Sequence, residues 1–513
     1  MSAKNISRRE MFRVGAAAGA LGAPGGTAAP SAATSIADNV YTRIGVRPFI
    51  NCTATYTING GALVLPEVRA AMEEASRYSV NIDELMEKVG ARLAKLLGCE
   101  AAIVTAGAAA ALTHATAACV AGADPEKMRQ LPDTTGLKNE VVVARQSRHE
   151  YDQAIRAVGV KMVEVDTREE FHAALRNRTA MISVLGKAEA AGKIRLEEMV
   201  AAGRKAGVPV LVDAAAEAPS RPDPYLSRGA DLVAYSGGKI LRGPQCAGLL
   251  IGRQDLIEAA WWNSAPHHAL GRGMKVGKEE IMGLLAAVEA WSARRDRQAE
   301  FRQWESWYAH IGETLTRLSG IRTEVRPPEG DSPYPILRVS WDPEKFALNG
   351  PELHRRLLEG EPRIMSHARE GEHSFRIRAV SMRPGDEKRV AARLYDIFRQ
   401  AAGTGAVPAL AAPAHSVAGR WDVDLQFVSG SVRHTLLLQH DGHRVWGTHE
   451  ARLVKGEITG TVSGVEVRLR SALRYEGDTL SYVFTGRLAG DTMEGELRPD
   501  EYGKARWRAR RRA

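Results

Sequence analysis

The stretch Asp231-Leu-Val-Ala-Tyr-Ser-Gly-Gly-Lys239 decides the fold prediction, together with Val210-Leu-Val-Asp213 upstream. Both begin as short apolar runs of the kind that form buried parallel strands. One run ends at Asp213, and the other ends at two glycines and Lys239. This layout is expected of an enzyme that holds pyridoxal phosphate, in which a lysine forms the Schiff base and an aspartate pairs with the pyridinium nitrogen. The sequence therefore predicts a pyridoxal phosphate site with Lys239 as the catalytic residue.

Lys239 and Asp213 each also have a common role that needs no cofactor. A lysine is usually a solvated surface charge, and an aspartate at a strand end often caps the next helix. The glycine pair favours the cofactor site, because it allows a tight turn at the carboxyl ends of the strands, where open α/β sheets bind ligands. Lys239 and Asp213 are therefore interpreted together.

A third segment supplies a candidate phosphate site. Thr105-Ala-Gly-Ala-Ala109 lies between a predicted strand and an alanine-rich predicted helix. Backbone N–H groups at a helix start bind anions, and a glycine lets a phosphate approach closely. Thr105, Gly107 and Ala108 are thus predicted to bind the cofactor phosphate, with the hydroxyl of Ser236 added to them.

Four further residues are candidates for contacts with the cofactor ring or the substrate. His149 follows the predicted strand Glu140–Ala144 and is expected to stack on the ring, the alternative being a surface histidine. Arg376, Arg378 and Arg383 lie close together downstream. One of them is expected to bind the substrate carboxylate, because a guanidinium group binds carboxylates through two parallel hydrogen bonds. The sequence does not choose among the three.

Around these positions the chain resembles the fold-type I pyridoxal phosphate enzymes related to bacterial L-seryl-tRNA(Sec) selenium transferase. Within that group it is most similar to the D-glucosaminate-6-phosphate ammonia-lyase type. The resemblance covers about residues 40–402 and is most specific around Lys239. The segments that carry it are Glu100–Ala110, Leu131–Thr134, Val212–Glu217, Tyr235–Gln245, Gly271–Glu279 and Met382–Gly385.

The resemblance implies a fold, an assembly and a reaction. The expected fold is α/β, an aminotransferase-like fold type I with a large parallel-sheet domain and a small α/β domain. The expected assembly is a homo-oligomer, a dimer or larger, that acts on a small-molecule amino substrate. The expected reaction is an α,β-elimination, in which Lys239 removes the Cα proton, a β-hydroxyl leaves, and hydrolysis gives a 2-oxo acid and ammonia.

The first residues predict export. Ser7-Arg8-Arg9-Glu10-Met11-Phe12 precedes a short apolar Ala/Gly run, which is typical of a twin-arginine signal over residues 1–33. Such a signal implies the twin-arginine export machinery as a partner and a periplasmic or otherwise exported protein. The alternative is the basic tail of a cytosolic protein.

Composition and turn-forming residues predict the remaining domain organisation of the chain. The chain has 513 residues and a net charge of +9, concentrated in residues 1–30 and 504–512. The near-neutral body gives no sign of a nucleic-acid face, and the basic end is interpreted as a solvated tail. No pair of the four cysteines has CxxC spacing, so no metal site is expected.

Four segments are expected after the signal. Residues 34–300 form the large domain with an N-terminal arm, 301–402 the small domain and 403–415 a linker. Residues 416–513 form an antiparallel β-sandwich or barrel, because short alternating strands are separated by Asp-Gly and Gly-Asp turns.

The leading hypothesis is a pyridoxal-phosphate-dependent lyase that acts on a small amino acid or amino sugar acid. Within enzymes, the alternatives are a racemase, an aminotransferase, or an activity like that of L-seryl-tRNA selenium transferase. A different class is a non-catalytic exported binding protein that keeps the fold but works through its β-rich part.

Overall fold

The computed structural model describes residues 38–512 except 294, 329–331, 369–371 and 404–409. The predicted signal over residues 1–33, with Arg8 and Arg9, lies outside the described residues, as does much of the linker. The chain divides into two units, residues 1–48 and 49–513. In the first unit the described residues 38–48 include one turn of 3-10 helix, Thr42–Ile44. The second unit holds every element described below.

A seven-stranded sheet forms the centre of the large domain. Its strands, with the short β1 that precedes them, are β1 (Ile50–Asn51), β2 (Ala101–Thr105), β3 (Glu140–Ala144), β4 (Lys161–Val165), β5 (Thr179–Leu185), β6 (Val210–Asp213), β7 (Leu232–Ser236) and β8 (Gly248–Gly252). The order across the sheet is β2-β8-β7-β6-β5-β3-β4. Strands β3 to β7 pair in parallel, whereas β8 runs antiparallel to both of its neighbours. The two apolar runs that predicted buried parallel strands are β6, which is buried throughout, and β7, which is buried up to Tyr235.

Helices pack around this sheet. They are α1 (Pro66–Ser76), α2 (Ile82–Leu97), α3 (Gly107–Ala121), α4 (Pro125–Gln130), α5 (Asp152–Arg156), α6 (Arg168–Ala174), α7 (Gly186–Glu189), α8 (Leu196–Ala206), α9 (Gln254–Trp262) and α10 (Lys278–Ala293). Helix α2 begins where the Asn81 side chain accepts the Glu84 N–H and ends at Gly98, whose φ of +70° suits a glycine. Helix α3 is almost wholly buried, since alanine lets it pack closely on the sheet.

The small domain is built on a four-stranded antiparallel sheet in the order β12-β13-β10-β9. Its elements are α11 (Arg297–Leu315), β9 (Ile321–Arg326), β10 (Ile336–Trp341), α12 (Gly350–Glu359), β11 (Ile364–Met365), β12 (His367–Ala368), β13 (Ser374–Ile377) and α13 (Asp386–Ala401). Strand β1 pairs in parallel with β11, so the chain before the large domain is held by the small domain. The long helical segment between the large and small domains divides into two helices, because Asp296 caps α11 with its carboxylate on the Ala299 N–H.

The β-rich part is a closed eight-stranded antiparallel barrel, which decides between the two predicted forms. Its strands are β14 (Gly419–Gln426), β15 (Ser431–Asp441), β16 (Arg444–Glu450), β17 (Lys455–Ser463), β18 (Glu466–Tyr475), β19 (Asp478–Ala489), β20 (Thr492–Pro499) and β21 (Ala505–Arg511). Large buried side chains fill the interior, among them Trp421, Phe484 and Trp507. A closed barrel leaves no unpaired edge strand.

The basic segment 504–512 is not a solvated tail, and that prediction is wrong. It forms β21, which pairs with β14 and β20 and closes the barrel. Ala505, Trp507 and Ala509 point inward and are buried, whereas the arginines that alternate with them are exposed. The positive charge therefore lies on the outer face of β21. None of the described helices combines the length and the apolar composition needed to cross a bilayer.

Candidate active site

The turn that carries Lys239 needs both of its glycines. The Gly237 N–H donates to the Ala247 carbonyl at 2.8 Å, directly after β7 ends. A Cβ on Gly237 would lie 2.8 Å from that same carbonyl oxygen, and one on Gly238 would lie 2.6 Å from the Gln245 Cα. Any larger residue would push the turn away from the sheet. The glycine pair therefore places Lys239 at the carboxyl end of the sheet, as the sequence predicted.

The surroundings of Lys239 favour its neutral amine. Burial lowers the pKa of Lys239, the nearby Lys187 lowers it further, and the charges of Asp213 and Glu150 act in the opposite direction. The Nζ atom lies 6.0 Å from the centre of the Tyr151 ring. A neutral amine is a nucleophile and a base, so this lysine is prepared for both roles.

Asp213 and His149 meet at the end of β6. One carboxylate oxygen of Asp213 accepts the Ala215 N–H at 2.9 Å, which fixes the orientation of the carboxylate. The other oxygen lies 3.5 Å from Nε2 of His149, and both side chains are largely buried. The structure thus brings together the predicted ring partner and the predicted stacking residue.

The predicted phosphate residues lie at the start of α3. The cap residue Ala106 offers no side-chain hydrogen bond to the first turn of this helix. Gly107 has φ +85°, and nothing lies within 4 Å of the position its Cβ would take. Thr105 closes the turn by donating from its hydroxyl to the Gly107 carbonyl at 2.9 Å. The N–H groups of the first turn, including that of Ala108, therefore have no side-chain cap.

Sheet register places Ser236 beside this helix start. Thr105 of β2 and Ser236 of β7 each pair with Gly248 of the intervening β8. A Cβ on Gly248 would lie 2.3 Å from the Gly107 carbonyl carbon, so only glycine allows the helix to begin this close to the sheet. Thr105, Gly107 and Ser236 thus share one small region.

A cavity of about 250 Å³ opens beside Lys239. Thr53, Tyr56, Lys187, Tyr334 and Arg378 are among the residues that line it with Lys239. The Arg378 N–H donates to the Cys52 carbonyl at 3.0 Å, so the N-terminal arm and the small domain meet at this cavity.

The three candidate arginines lie in different places. Arg378 lines the cavity of Lys239. Arg376 is exposed and lines an adjoining cavity of about 420 Å³, together with Arg338 and His367. Arg383 is exposed at the approach to α13, where its backbone N–H donates to Asp386 at 2.9 Å. The structure therefore brings Arg378, and neither of the others, into one cavity with Lys239.

Sequence reasoning missed several cavity residues. Lys187 follows β5 at the same edge of the sheet as Asp213, so the strand-end rule that found Asp213 also indicates Lys187. Tyr151 lies two residues after His149 and had the same signal. The arm residues Thr53 and Tyr56 had none, because their position depends on the pairing of β1 with β11.

The chain is similar to known proteins over much of its length. Residues 66–275 match the family model of class-V aminotransferases. A 5'-C-glycyluridine monooxygenase-decarboxylase of Streptomyces sp. is 34% identical over 339 residues, which cover 63% of this chain and 83% of that protein. A D-glucosaminate-6-phosphate ammonia lyase of Salmonella typhimurium is 29% identical over 378 residues, which cover 71% of this chain and 99% of that protein.

Two further matches extend the comparison. An L-seryl-tRNA(Sec) selenium transferase of Moorella thermoacetica is 28% identical over 282 residues, which cover 48% of this chain and 56% of that protein. A solved structure of D-glucosaminate-6-phosphate ammonia-lyase superposes with a TM-score of 0.63 at 28% identity and covers 71% of this chain and 100% of its own. The predicted fold, the predicted resemblance and the predicted enzyme class, a lyase or transferase, are confirmed.

Proposed function

Because the chain belongs to the class-V aminotransferase family, we propose that it is a pyridoxal-phosphate-dependent lyase that eliminates a β-hydroxyl and releases ammonia from a small amino acid or amino sugar acid. The observation that carries the proposal is the meeting of Lys239, Asp213, His149 and the uncapped start of α3 at one edge of the sheet. Each group matches a different part of the cofactor.

The residues fit pyridoxal phosphate on their own geometry. The open space at Gly107 and the uncapped N–H groups of α3 suit a phosphate. The Asp213 oxygen that faces His149 can accept a hydrogen bond from a protonated ring nitrogen. Lys239, with its lowered pKa, suits an aldehyde carbon. When bound, the cofactor supplies an electron sink that makes the Cα proton of an amino compound acidic.

The side chains of this chain then have distinct tasks. The Asp213 carboxylate would hold a proton on the ring nitrogen, and the His149 imidazole would pack against the ring. The Lys239 amine takes the Cα proton at Nζ and returns a proton to the leaving hydroxyl, which is general acid–base catalysis by one group. The Arg378 guanidinium holds the substrate carboxylate, which orients the Cα–H bond toward Lys239.

The adjoining cavity favours a substrate with a second anionic group. Arg338 and Arg376 stand directly opposite each other on β10 and β13, and like charges in such a pair repel. Glu324 stands opposite Arg338 on β9 and offsets part of this repulsion. An anion bound between the two arginines relieves that repulsion. Tyr56 and Arg378 line both cavities, so one elongated substrate can occupy them together. The ammonia-lyase relative acts, by its name, on a substrate that carries a phosphate.

Location and assembly belong to the same proposal. The Arg8-Arg9 motif supports export by the twin-arginine route, which carries folded proteins. A homo-oligomer is expected from the family resemblance. Cell fractionation of the full chain and of an Arg8→Lys, Arg9→Lys variant tests the export. Retention of both forms in the cytoplasm would contradict it.

Two measurements test the chemistry. Borohydride reduction of the purified protein with pyridoxal phosphate, followed by peptide mass spectrometry, should put the cofactor mass on Lys239 and leave the Lys239→Ala protein unlabelled. Candidate β-hydroxy amino acids should then release ammonia without any keto-acid acceptor. Release only with an acceptor would indicate an aminotransferase, and inversion at Cα without ammonia would indicate a racemase. Labelling of another lysine would contradict the site.

A further inference from the structure

A turn of the C-terminal barrel touches the segment that carries His149. We call residues 475–478, the connection between β18 and β19, the barrel hairpin. It lies against residues 148–156, which lead from His149 through α5. The proposed site does not draw on any barrel residue.

The closest approach is between backbones. A Cβ on Gly477 would lie 2.5 Å from the carbonyl oxygen of His149 and 2.7 Å from its backbone nitrogen. The same Cβ would lie 2.2 Å from Oδ2 of Asp152. Since real Cβ atoms do not occur at such distances, residue 477 must be glycine for the hairpin to reach His149.

The ion pairs of Arg148 hold the hairpin against this segment. The side chain of Arg148 is only 4% exposed, and it donates to Asp152, to Glu164 at 3.2 Å and to the hairpin residue Glu476 at 2.7 Å. The backbone of Glu476 has φ +55°, a left-handed conformation that is costly for a residue with a Cβ. The barrel thus keeps Glu476 in a strained backbone conformation at the point where the Glu476 carboxylate meets Arg148, the neighbour of His149.

Two further contacts flank this ion pair. Arg474 donates to Glu164 on β4 at 3.2 Å, and the Arg156 guanidinium lies 5.7 Å from the centre of the Tyr475 ring. Together with Gly477, these contacts fix both ends of the segment 148–156. The imidazole between them keeps its 3.5 Å approach to Asp213.

We propose that the barrel hairpin is a positioning element of the active site, which holds His149 in place against the ring of the bound cofactor. This inference rests on the proposed role of His149, and it makes the barrel part of the catalytic unit. Gly477 and Glu476 are positioning residues, since they act through the backbone of His149 and through Arg148.

The test uses the full chain and two pairs of variants. Gly477→Ala removes the space over His149, and its matched control is Gly456→Ala, where a Cβ would crowd only Ala472 and Leu473 inside the barrel. Glu476→Gln removes the charge that Arg148 meets, and its matched control is Glu494→Gln, whose partner Arg508 lies on the barrel at 3.0 Å. Each variant is also made in a His149→Ala background.

The readouts are the dissociation constant of pyridoxal phosphate and hydrogen exchange over residues 145–156. We expect Gly477→Ala to weaken cofactor binding about three- to tenfold, the strength of one aromatic stacking contact, and to speed exchange in that segment. In the His149→Ala background the further loss should stay below about twofold, since coupled residues are not additive. Glu476→Gln should show the same pattern more weakly, and both controls should bind the cofactor as the unmodified chain does.

Several results would overturn the positioning role. These are an equal loss of affinity with and without His149, an equal loss in Gly456→Ala, or no loss at all. An unmodified chain that takes up no pyridoxal phosphate would contradict the proposed function instead. In that case, unchanged hydrogen exchange over residues 145–156 in Gly477→Ala would by itself contradict the claim that the hairpin holds this segment in place.

Discussion

Nε2 of His149 lies 3.5 Å from Oδ2 of Asp213, at the end of β6. Asp213 is the last residue of β6, whereas His149 lies between β3 and α5. The other oxygen of Asp213 accepts the Ala215 N–H at 2.9 Å. The imidazole therefore lies beside the carboxylate oxygen that the proposed function assigns to the ring nitrogen. Because the two side chains lie this close, their contributions are coupled, and each is tested with its own variant.

Asp213→Asn should retain the cofactor but lose turnover. The amide keeps the shape of the side chain but cannot hold a positive ring nitrogen, so kcat should fall about 10²-fold or more. Steady-state kinetics and cofactor absorbance measure the two effects. Asp231→Asn is the control, because Asp231 accepts the Val210 N–H at 2.8 Å at the other end of the strands. Full activity in Asp213→Asn would contradict the ring assignment.

Lys187→Gln should move the pH dependence of cofactor attachment upward. Burial and the charge of Lys187 both lower the pKa of Lys239. Removing one positive neighbour raises that pKa, so the neutral amine appears only at higher pH. The rate of borohydride-trapped attachment is measured across a pH series. Lys193→Gln serves as control, since Lys193 is exposed and pairs with Asp166 at 2.8 Å. A downward displacement of the profile would contradict this account.

Arg378→Gln should raise KM about 10- to 100-fold, the worth of a charge-assisted hydrogen bond to a carboxylate. Arg383→Gln should leave KM unchanged, because Arg383 is exposed outside the cavity. Both residues were equal candidates in the sequence, so they form a matched pair. Steady-state kinetics on the best substrate measures the difference, and the reverse order would reassign the carboxylate site.

Arg338→Gln and Arg376→Gln should reduce the preference for substrates with a second anion. The two positive charges, which face each other on β10 and β13, attract such a group. We expect kcat/KM to fall about tenfold for a phosphorylated or acidic substrate and to change little for its neutral analogue. Equal losses for both substrates would contradict the second anion site.

The barrel should lose stability in acid because of two buried histidines. Nδ1 of His434 lies 2.8 Å from Nε2 of His449, and burial, with the charge of His434 second, lowers the pKa of His449 from 6.5 to about 3. The unfolded chain therefore binds more protons between these values, and stability declines as pH falls through that range.

His449→Gln should flatten this decline. The glutamine keeps a polar side chain near Ser471 but does not titrate. Hydrogen exchange over residues 419–511, corrected for intrinsic rates, follows the barrel at each pH. His440→Gln, on the same strand as His434, is the control and should keep the acid sensitivity of the unmodified chain. An unchanged pH profile in His449→Gln would remove the histidine pair as the cause.

The catalytic edge was predictable because its residues follow apolar runs. Lys239, Asp213 and Thr105 each stand at the carboxyl end of a buried strand, where local sequence and tertiary position coincide. The choice of Arg378 was not predictable, since it depends on the pairing of the N-terminal arm with the small domain, and pairings between distant segments leave no local pattern. The segment 504–512 was misjudged for another reason. Its positive charge was given more weight than the alternation of its arginines with the apolar residues Ala505, Trp507 and Ala509.

The closure of the barrel orders its folding in time. Strand β14 pairs with β15 beside it in the sequence and with β21, which lies about as far away in sequence as the barrel allows. Such non-local pairing forms late, because a long loop must close first. Until β21 is in place, one edge of β14 stays open to wrong partners, and Trp421 and Trp507 have no complete interior to fill. Pairing of the eighth strand therefore determines when the barrel has no open edge and a complete interior.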